Sequence, residues 1–582
     1  MFKRILSLLL CLVMFGACLV GCNKDKDAVE DTAAEASKQT TTIVMHLMSE
    51  EEVSDDQAAE IQNAVNKITK SKFKTQLILR FYTKDEYYAA LEQAYDDRAN
   101  AATTDKNNSN AAKDEKGSET AEETFVDEYG VVQLKYPTVP DYQVDIFYVG
   151  GYDRLMSYIE NGMVADLTDD VASASKKLKT YMTPGYLEGM DAVCNGIYAI
   201  PANAPVGEYT YMLLNKEAIK KYNHVASDFD SLLGTKTAQF LEVIATYEKD
   251  NYVPLRSFTD SGELDITNFG YFGIDENGNL DTTSFSLVGG TYDSSWKYGK
   301  QNQYIPAGYI FHDDYFVSST RTLIEYKQKG YYGTTADSSK DFAVGYIKGG
   351  IELIEEYSDK YEVVVLEKPT VNTMDVFENM FAVSKYTNSL ERSMEIITYL
   401  YTNADFRNLL LYGIEGTNYE LVESEMMDAN DEPYMVVKRL NNNYMMAPEK
   451  TGNVLLAIPT VDQAPNLREL YKQQNLDSSM SLTLGFTSTY NGLELSKEHY
   501  EHLRKKSAEV LKELLEIKTV TLFDTYVASK KTIINSTDKL LGAAVSSSKI
   551  TDAENPDAEP LETIGSLYME WLADNKIVAR SE

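Results

Sequence analysis

Val144–Thr168 reads VDIFYVGGYDRLMSYIENGMVADLT. Val144 to Val149 is a short apolar, β-branched and aromatic run, the pattern of a buried strand. It ends on Gly150-Gly151, between Tyr148 and Tyr152, and a helix begins at once near Asp153 and closes at Gly162. Two glycines at this junction have two readings. One is a tight βα turn whose dihedrals need glycine. The other is a ligand approaching the backbone beside an aromatic ring, since ligands of open α/β sheets lie beyond the carboxyl ends of strands, at helix N-termini with free N–H groups.

The flanks repeat the unit. Thr42–Met48 (TIVMHLM) reads as a strand, and Ser54-Asp-Asp-Gln57 as a capping box opening a helix with Ile61, Val65 and Ile68 at helical spacing. Phe73–Phe81 (FKTQLILRF) is the next strand, and Asp85–Asp96 the next helix, with Tyr88, Leu91 and Tyr95 on one face. Residues 98–123 lack apolar periodicity and are expected to be a disordered insertion. The alternation argues a parallel sheet clad by helices, an α/β fold. Farther on, Gly207–Asn215 reads as a strand feeding a helix at KEAIKKYN, and Tyr361–Leu366 (YEVVVL) as a buried strand. Asn388–Tyr401, Ala404–Leu411 and Ser496–Glu516 read as helices. Asp275–Asn279 reads as a hairpin turn, because its glycine and acids miss the spacing of a calcium loop.

The first residues carry an address. Lys3-Arg4 precedes an apolar run from Ile5 to Cys18, too short to span a membrane but fit for a secretory signal. Leu19-Val20-Gly21-Cys22 resembles a bacterial lipobox, which implies cleavage after residue 21 and a diacylglycerol thioether on Cys22. Residues 22–40 then read as a flexible tether. Cys194 alone remains for the folded part, so no internal disulfide is expected, and its apolar surroundings fit a buried small residue. Lys and Arg total 55 against 90 Asp and Glu, a net charge of −35, which excludes nucleic acid as a partner and a basic membrane-binding face. Tyrosine is abundant, 42 against 2 Trp, and supplies flat faces with a hydroxyl, suited to polar ring-shaped ligands.

At Gly196-Ile-Tyr-Ala-Ile-Pro201, followed by Tyr211-Met-Leu-Leu-Asn215-Lys216, the chain resembles family 1 extracellular solute-binding proteins, the maltose-binding-protein-like receptors of ABC importers. Asp145-Ile146 with the glycine turn, Asp166-Leu167-Thr168, and Leu411-Tyr-Gly-Ile-Glu-Gly416 with Tyr419 fit the same family, as does the helix read at 388–402. Phe342–Gly349 departs from the family's pattern, which leaves that strand's register open, and the Trp residues that commonly stack on sugars are scarce. The resemblance implies a two-lobe periplasmic-binding-protein fold that closes like a flytrap about a multi-strand hinge. Hinge crossings would fall at Tyr209–Leu213, Val376–Phe381 and Asn442–Val454. The N-terminal lobe would hold 41–208 plus 380–441, and the C-terminal lobe 213–375 plus 455–582.

The resemblance also implies a monomeric, lipid-anchored receptor on the extracellular face of the cell membrane. It would capture a carbohydrate, an oligosaccharide before a monosaccharide, for an ABC permease, with no cofactor and no metal. Candidate ligand-binding residues are Tyr148, Gly151, Tyr152 and Asp153 at the strand-end turn. Glu208 and Tyr209 come from the first crossing, Phe377 and Glu378 from the second, and Trp296 from the second lobe. Rings would stack on a sugar while carboxylates accept from its hydroxyls; Glu415 would cap a turn. Replacing Tyr152 by Ala is expected to weaken binding by at least about tenfold with the fold intact. A surface-anchored glycoside hydrolase and a receptor for a non-sugar solute such as a peptide are the alternatives. Against an enzyme stand the absence of a Gly-x-Ser-x-Gly elbow or His-Glu-x-x-His helix and a total of five histidines.

Overall fold

The computed structural model describes residues 41–568, apart from 110–123, 127–131, 135–138, 174–175, 184, 258–265, 267–268, 276–279, 283, 299–300, 305–306, 333–339, 482, 484–496, 534–537 and 550–562. The signal at 1–21, Cys22 and the tether at 22–40 lie outside the described residues.

β1 (Thr41–Ser49) is buried from Thr42 onward on both faces, as a continuous apolar run requires of a central strand. In α1 (Asp55–Phe73), Ser54 Oγ accepts from the Gln57 N–H at 3.4 Å. The other half of the expected capping box is replaced, because Gln57 Oε1 accepts from Asn418 Nδ2 at 3.0 Å. The helix keeps Phe73 and stops at left-handed Lys74, φ 51°, so β2 is Thr75–Thr83 and begins two residues later than expected. α2 (Lys84–Ser109) buries Tyr87 and Leu91 completely, while Tyr88 and Tyr95 flank that stripe half-buried. Its backbone stays helical through Ser109, well into the stretch expected to be disordered. Ala99 and Ala101 lose no side-chain entropy in a helix, and a nucleated helix extends past its apolar face.

β3 (Ile146–Val149), α3 (Tyr152–Glu160), α4 (Tyr186–Cys194) and β4 (Ala199–Pro201) follow. β5 (Tyr209–Asn215) is wholly buried and opens the second sheet, which β6 (Tyr252–Ser257), β7 (Asp341–Gly349) and β8 (Tyr361–Glu367) complete in the order β8-β5-β7-β6. β7 runs antiparallel to β5, with Gly345 opposite Leu213, and parallel to β6, which fixes the register that Phe342–Gly349 left open. β8 is an edge strand with Val365 41% exposed, where a buried strand was expected: Val363 and Val364 pack partly buried on opposite faces of the sheet. The chain returns through β9 (Thr370–Val371), α5 (Thr373–Phe377) and β10 (Met380–Val383). The first sheet is thereby ordered β2-β1-β3-β10-β4. Its first three strands are parallel and β10 enters reversed, so the sheet is mixed and not purely parallel.

α6 (Leu390–Thr402) and α7 (Ala404–Tyr412) pack on this sheet, and a hairpin of β11 (Tyr419–Met427) and β12 (Pro433–Arg439) leads to α8 (Leu467–Asp477) and β13 (Ser479–Met480). α9 (Lys497–Glu516), α10 (Val520–Ile533) and α11 (Lys539–Ala544) share a separate core with residues 269–316, built on Phe272, Val288, Phe311, Leu503, Phe523 and Leu541. Among the described residues no helix is long and apolar enough to cross a membrane.

The two sheets are joined at 202–208, at 368–379 and through α8 into β13. Tyr209–Leu213, expected as a crossing, is already second-sheet strand. Asn442–Val454, expected as another, packs on the first lobe. Tyr444 and Met446 enter its core, Asn453 Nδ2 donates to Tyr401 O at 2.9 Å, and Val454 N–H donates to Ala202 O at 2.9 Å. Ala457 and Ile458 also lie against that core, beyond the point where the second lobe was expected to resume.

Candidate ligand site at the strand ends of the first lobe

β1, β2 and β3 are parallel, so Ser49, Thr83 and Val149 end at one edge of the first sheet. The glycine turn belongs to that edge. Gly151 holds φ 94°, a region that a side chain would strain, and it caps α3. Its N–H donates to Phe377 O at 2.9 Å and Glu378 O at 3.2 Å, which locks the returning crossing onto the turn. Gly150 has a different reason. A Cβ there would meet Tyr148 Oη at 2.6 Å and Tyr88 Oη at 3.2 Å. The Gly150 N–H donates to Tyr88 Oη at 3.2 Å.

The structure brings Tyr148, Gly151, Tyr152, Phe377 and Glu378 together. Tyr148 is buried and its hydroxyl donates to Asn379 Oδ1 at 2.6 Å. Burial, with Tyr88, Glu449 and Glu378 nearby, holds this phenol well above its ordinary pKa, so it remains a donor. Tyr152 is buried and meets fully buried Phe377 edge-on, ring centroids 5.2 Å apart. Glu378 and Asp153 are exposed at the rim. Glu208 ends the other crossing and Tyr209 begins β5. Tyr209 is buried and donates to Asp477 Oδ2 at 2.9 Å, while Glu208 is exposed. Trp296 belongs to the strand Val288–Tyr298 beside the C-terminal helices, and its side chain lies outside the described residues.

Sequence reasoning missed several neighbours. Arg154 lies over Tyr88, 3.5 Å from guanidinium carbon to ring centroid, and its Nη1 donates to Gly150 O at 3.2 Å. The adjacent Tyr87-Tyr88 pair was the available signal, since two neighbouring rings on one helix cannot both face the core. Asn379, the acceptor for Tyr148, had no local signal. Asp375 sits on the short helix α5, where its Oδ2 accepts from the Asn372 N–H at 2.7 Å. Burial, with Glu378 adding repulsion, pushes its carboxyl up to about 6. Glu415 is exposed, and its turn is organised instead by buried Asn418, whose Oδ1 accepts from Ile414 N–H at 2.9 Å.

Two α/β sheets are joined by three passes of the chain, and exposed carboxylates lie beside those passes. The chain is 25% identical over 348 residues to a carbohydrate ABC transporter substrate-binding protein of Streptococcus pneumoniae serotype 4, a match that spans 57% of this chain and 65% of that relative. No protein-family model matches the chain. Among solved structures, an N-glycan transport solute binding protein from Streptococcus pneumoniae is 18% identical, with 84% of this chain and 100% of that one covered at a TM-score of 0.47. An extracellular solute-binding protein from Bifidobacterium longum subsp. infantis is 12% identical, covering 92% and 99%, at a TM-score of 0.43. One from Staphylococcus aureus in complex with maltose is 13% identical, covering 86% and 100%, at 0.36.

Proposed function

We propose that this chain is an extracellular receptor that captures a carbohydrate, an oligosaccharide before a monosaccharide, and delivers it to an ABC permease. The observation that carries the reading is the strand-end edge. There a crossing segment is hydrogen-bonded to the glycine turn, and Glu378 is exposed beside it. Carboxylates accept from sugar hydroxyls in fixed directions, and a ligand touching both lobes would favour their closed arrangement. Similarity to a carbohydrate ABC transporter substrate-binding protein supports the same reading.

Within it, Glu208, Glu378 and Asp153 bind hydroxyls, Gly151 allows close approach, and Tyr148, Tyr152, Phe377 and Tyr209 form the packed wall behind them. Trp296 supplies a ring from the second lobe. Cys22 carries the lipid that holds a monomeric protein at the outer face of the membrane, and Cys22→Ser releases it from the membrane fraction. The protein binds without transforming its ligand. Thermal unfolding with an oligosaccharide panel tests the reading. A ligand that binds only the folded state adds about 2.7 kcal/mol of stability at a hundredfold excess over its Kd. A panel in which no saccharide raises the midpoint removes the proposal, and release of product from a chromogenic glycoside favours a hydrolase instead.

A further inference from the structure

The segment 204–207, where the chain first passes between the lobes, is paired with no strand among the described residues. Its polar groups are met by two neighbouring side chains of α8. Asn475 Oδ1 accepts from the Val206 N–H at 2.9 Å, and its Nδ2 donates to Ala204 O at 3.0 Å. Gln474 Nε2 donates to Val206 O at 3.0 Å and Gly207 O at 2.8 Å. Successive residues on a helix point about 100° apart, and the two amides use that divergence. Gln474 Oε1 reaches into the second lobe, accepting from the Ile351 N–H at 3.0 Å. Asn475 Nδ2 reaches into the first, donating to Thr183 Oγ1 at 2.7 Å. Both amides are buried, 3% and 6% exposed, so each lost partner would leave a desolvated polar group.

The second crossing is held to the same assembly. Gly207 has φ 54°, and a Cβ there would meet Thr370 O at 2.7 Å, so the two passes lie backbone to backbone. β9 and β13 pair in parallel, Thr370 opposite Ser479 and Val371 opposite Met480. Asp477 accepts from Tyr209 Oη and, at its solvent side, from Lys368 Nζ, both at 2.9 Å.

We propose that Gln474 and Asn475 are positioning residues that set the resting angle between the two lobes. The pair grips one crossing from a single helix and holds one lobe with each amide, so relative rotation of the lobes must break or re-form these bonds. The inference rests on the receptor reading only for the purpose of that angle, and its test needs no ligand. Spin labels are placed through non-cysteine chemistry at exposed Glu60 on α1 and exposed Lys236 in the second lobe of the full chain, and the interlobe distance distribution is recorded. Asn475→Asp keeps the acceptor for Val206 but removes both donors, and it is expected to broaden the distribution and shift its mean. Gln474→Glu keeps the acceptor for Ile351, loses the grip on 206–207, and is expected to act in the same direction, which covers failure of the first variant to fold. Lys368→Met removes only the solvent-side bond to Asp477 and is expected to leave the distribution unchanged. Wild-type distributions in folded amide variants, even with a lowered unfolding temperature, overturn the proposal, as does a Lys368→Met shift equal to theirs. Loss of saccharide binding with an intact distance response would count against the receptor reading alone.

Discussion

β3 has two ends, five residues apart, and they are built in opposite ways. At its start, fully buried Asp145 is saturated. Its Oδ2 accepts from the Val44 N–H at 2.8 Å, and its Oδ1 accepts from Gln143 Nε2, Thr387 Oγ1 and the Asn388 N–H at 2.6–2.9 Å. These donors come from β1, from the approach to β3 and from the segment after β10, so one carboxylate ties three chain segments together. At the other end, Gly150 and Gly151 give up their side chains to tyrosine hydroxyls and to a crossing segment, and carboxylates stand exposed around them. The saturated end holds the fold, and the glycine-turn end is the one the proposed receptor reading assigns to a ligand. Burial, not the mere presence of a carboxylate, separates the two ends: Asp145 is fully buried, whereas Asp153 and Glu378 are exposed.

The sharpest way to break this contrast is at the saturated end. Asp145→Ala strands several buried donors and is expected to cost about 3–5 kcal/mol in urea unfolding, comparable to breaking a buried ion pair. Next comes Tyr152→Ala. The sequence suggested that this change would spare the fold, but the ring is buried against Phe377, so a loss of roughly 3 kcal/mol is expected along with any loss of binding. It is a poor probe of the open end for that reason.

Asp375 offers a pH test beside the open end. Its folded pKa of about 6 exceeds the ordinary value of 3.8, so its contribution is full below about pH 4 and is lost as pH rises toward 6. His46 has the opposite sign. Buried in β1, with neither ring nitrogen hydrogen-bonded among the described residues, it is pushed down to about 3 by burial and by Arg80. Its contribution is full above 6.5 and is lost as pH falls toward 3. The two slopes oppose each other between pH 4 and 6. Asp375→Asn is expected to raise stability at pH 7 by on the order of 2 kcal/mol and to leave a steeper loss on acidification, read from urea midpoints across pH 4–7. Smaller still, Gly151→Ala is expected to cost about 1–2 kcal/mol, because φ 94° with ψ 145° is backbone that only glycine adopts without strain. Glu378→Gln is expected to change stability by less than about 0.5 kcal/mol while weakening saccharide binding roughly tenfold in calorimetry.

The βα framework was legible because its signals are local: the apolar run of β1, the glycine turn, and the 3.6-residue period of α1 and α6. What escaped was long-range. Gln57 finds Asn418, Tyr148 finds Asn379, and Asn475 finds Thr183 across hundreds of residues, and no periodicity encodes such pairs. The helical extension to Ser109 carries no apolar periodicity, and its alanine content sustains the helix instead. Of the candidate site, the turn and both crossing carboxylates were readable as positions. That the rings behind them would be buried wall was not readable, since a tyrosine beside a glycine turn has the same local sequence whether its face is open or covered.

Small-angle scattering of residues 41–582, alone and with a saturating oligosaccharide from the thermal panel, addresses the central claim most directly. A receptor whose lobes draw together about three chain passes gives a smaller radius of gyration on binding, and Glu378→Gln requires more ligand to reach it. An unchanged radius with ligand demonstrably bound would contradict closure of the lobes on a guest.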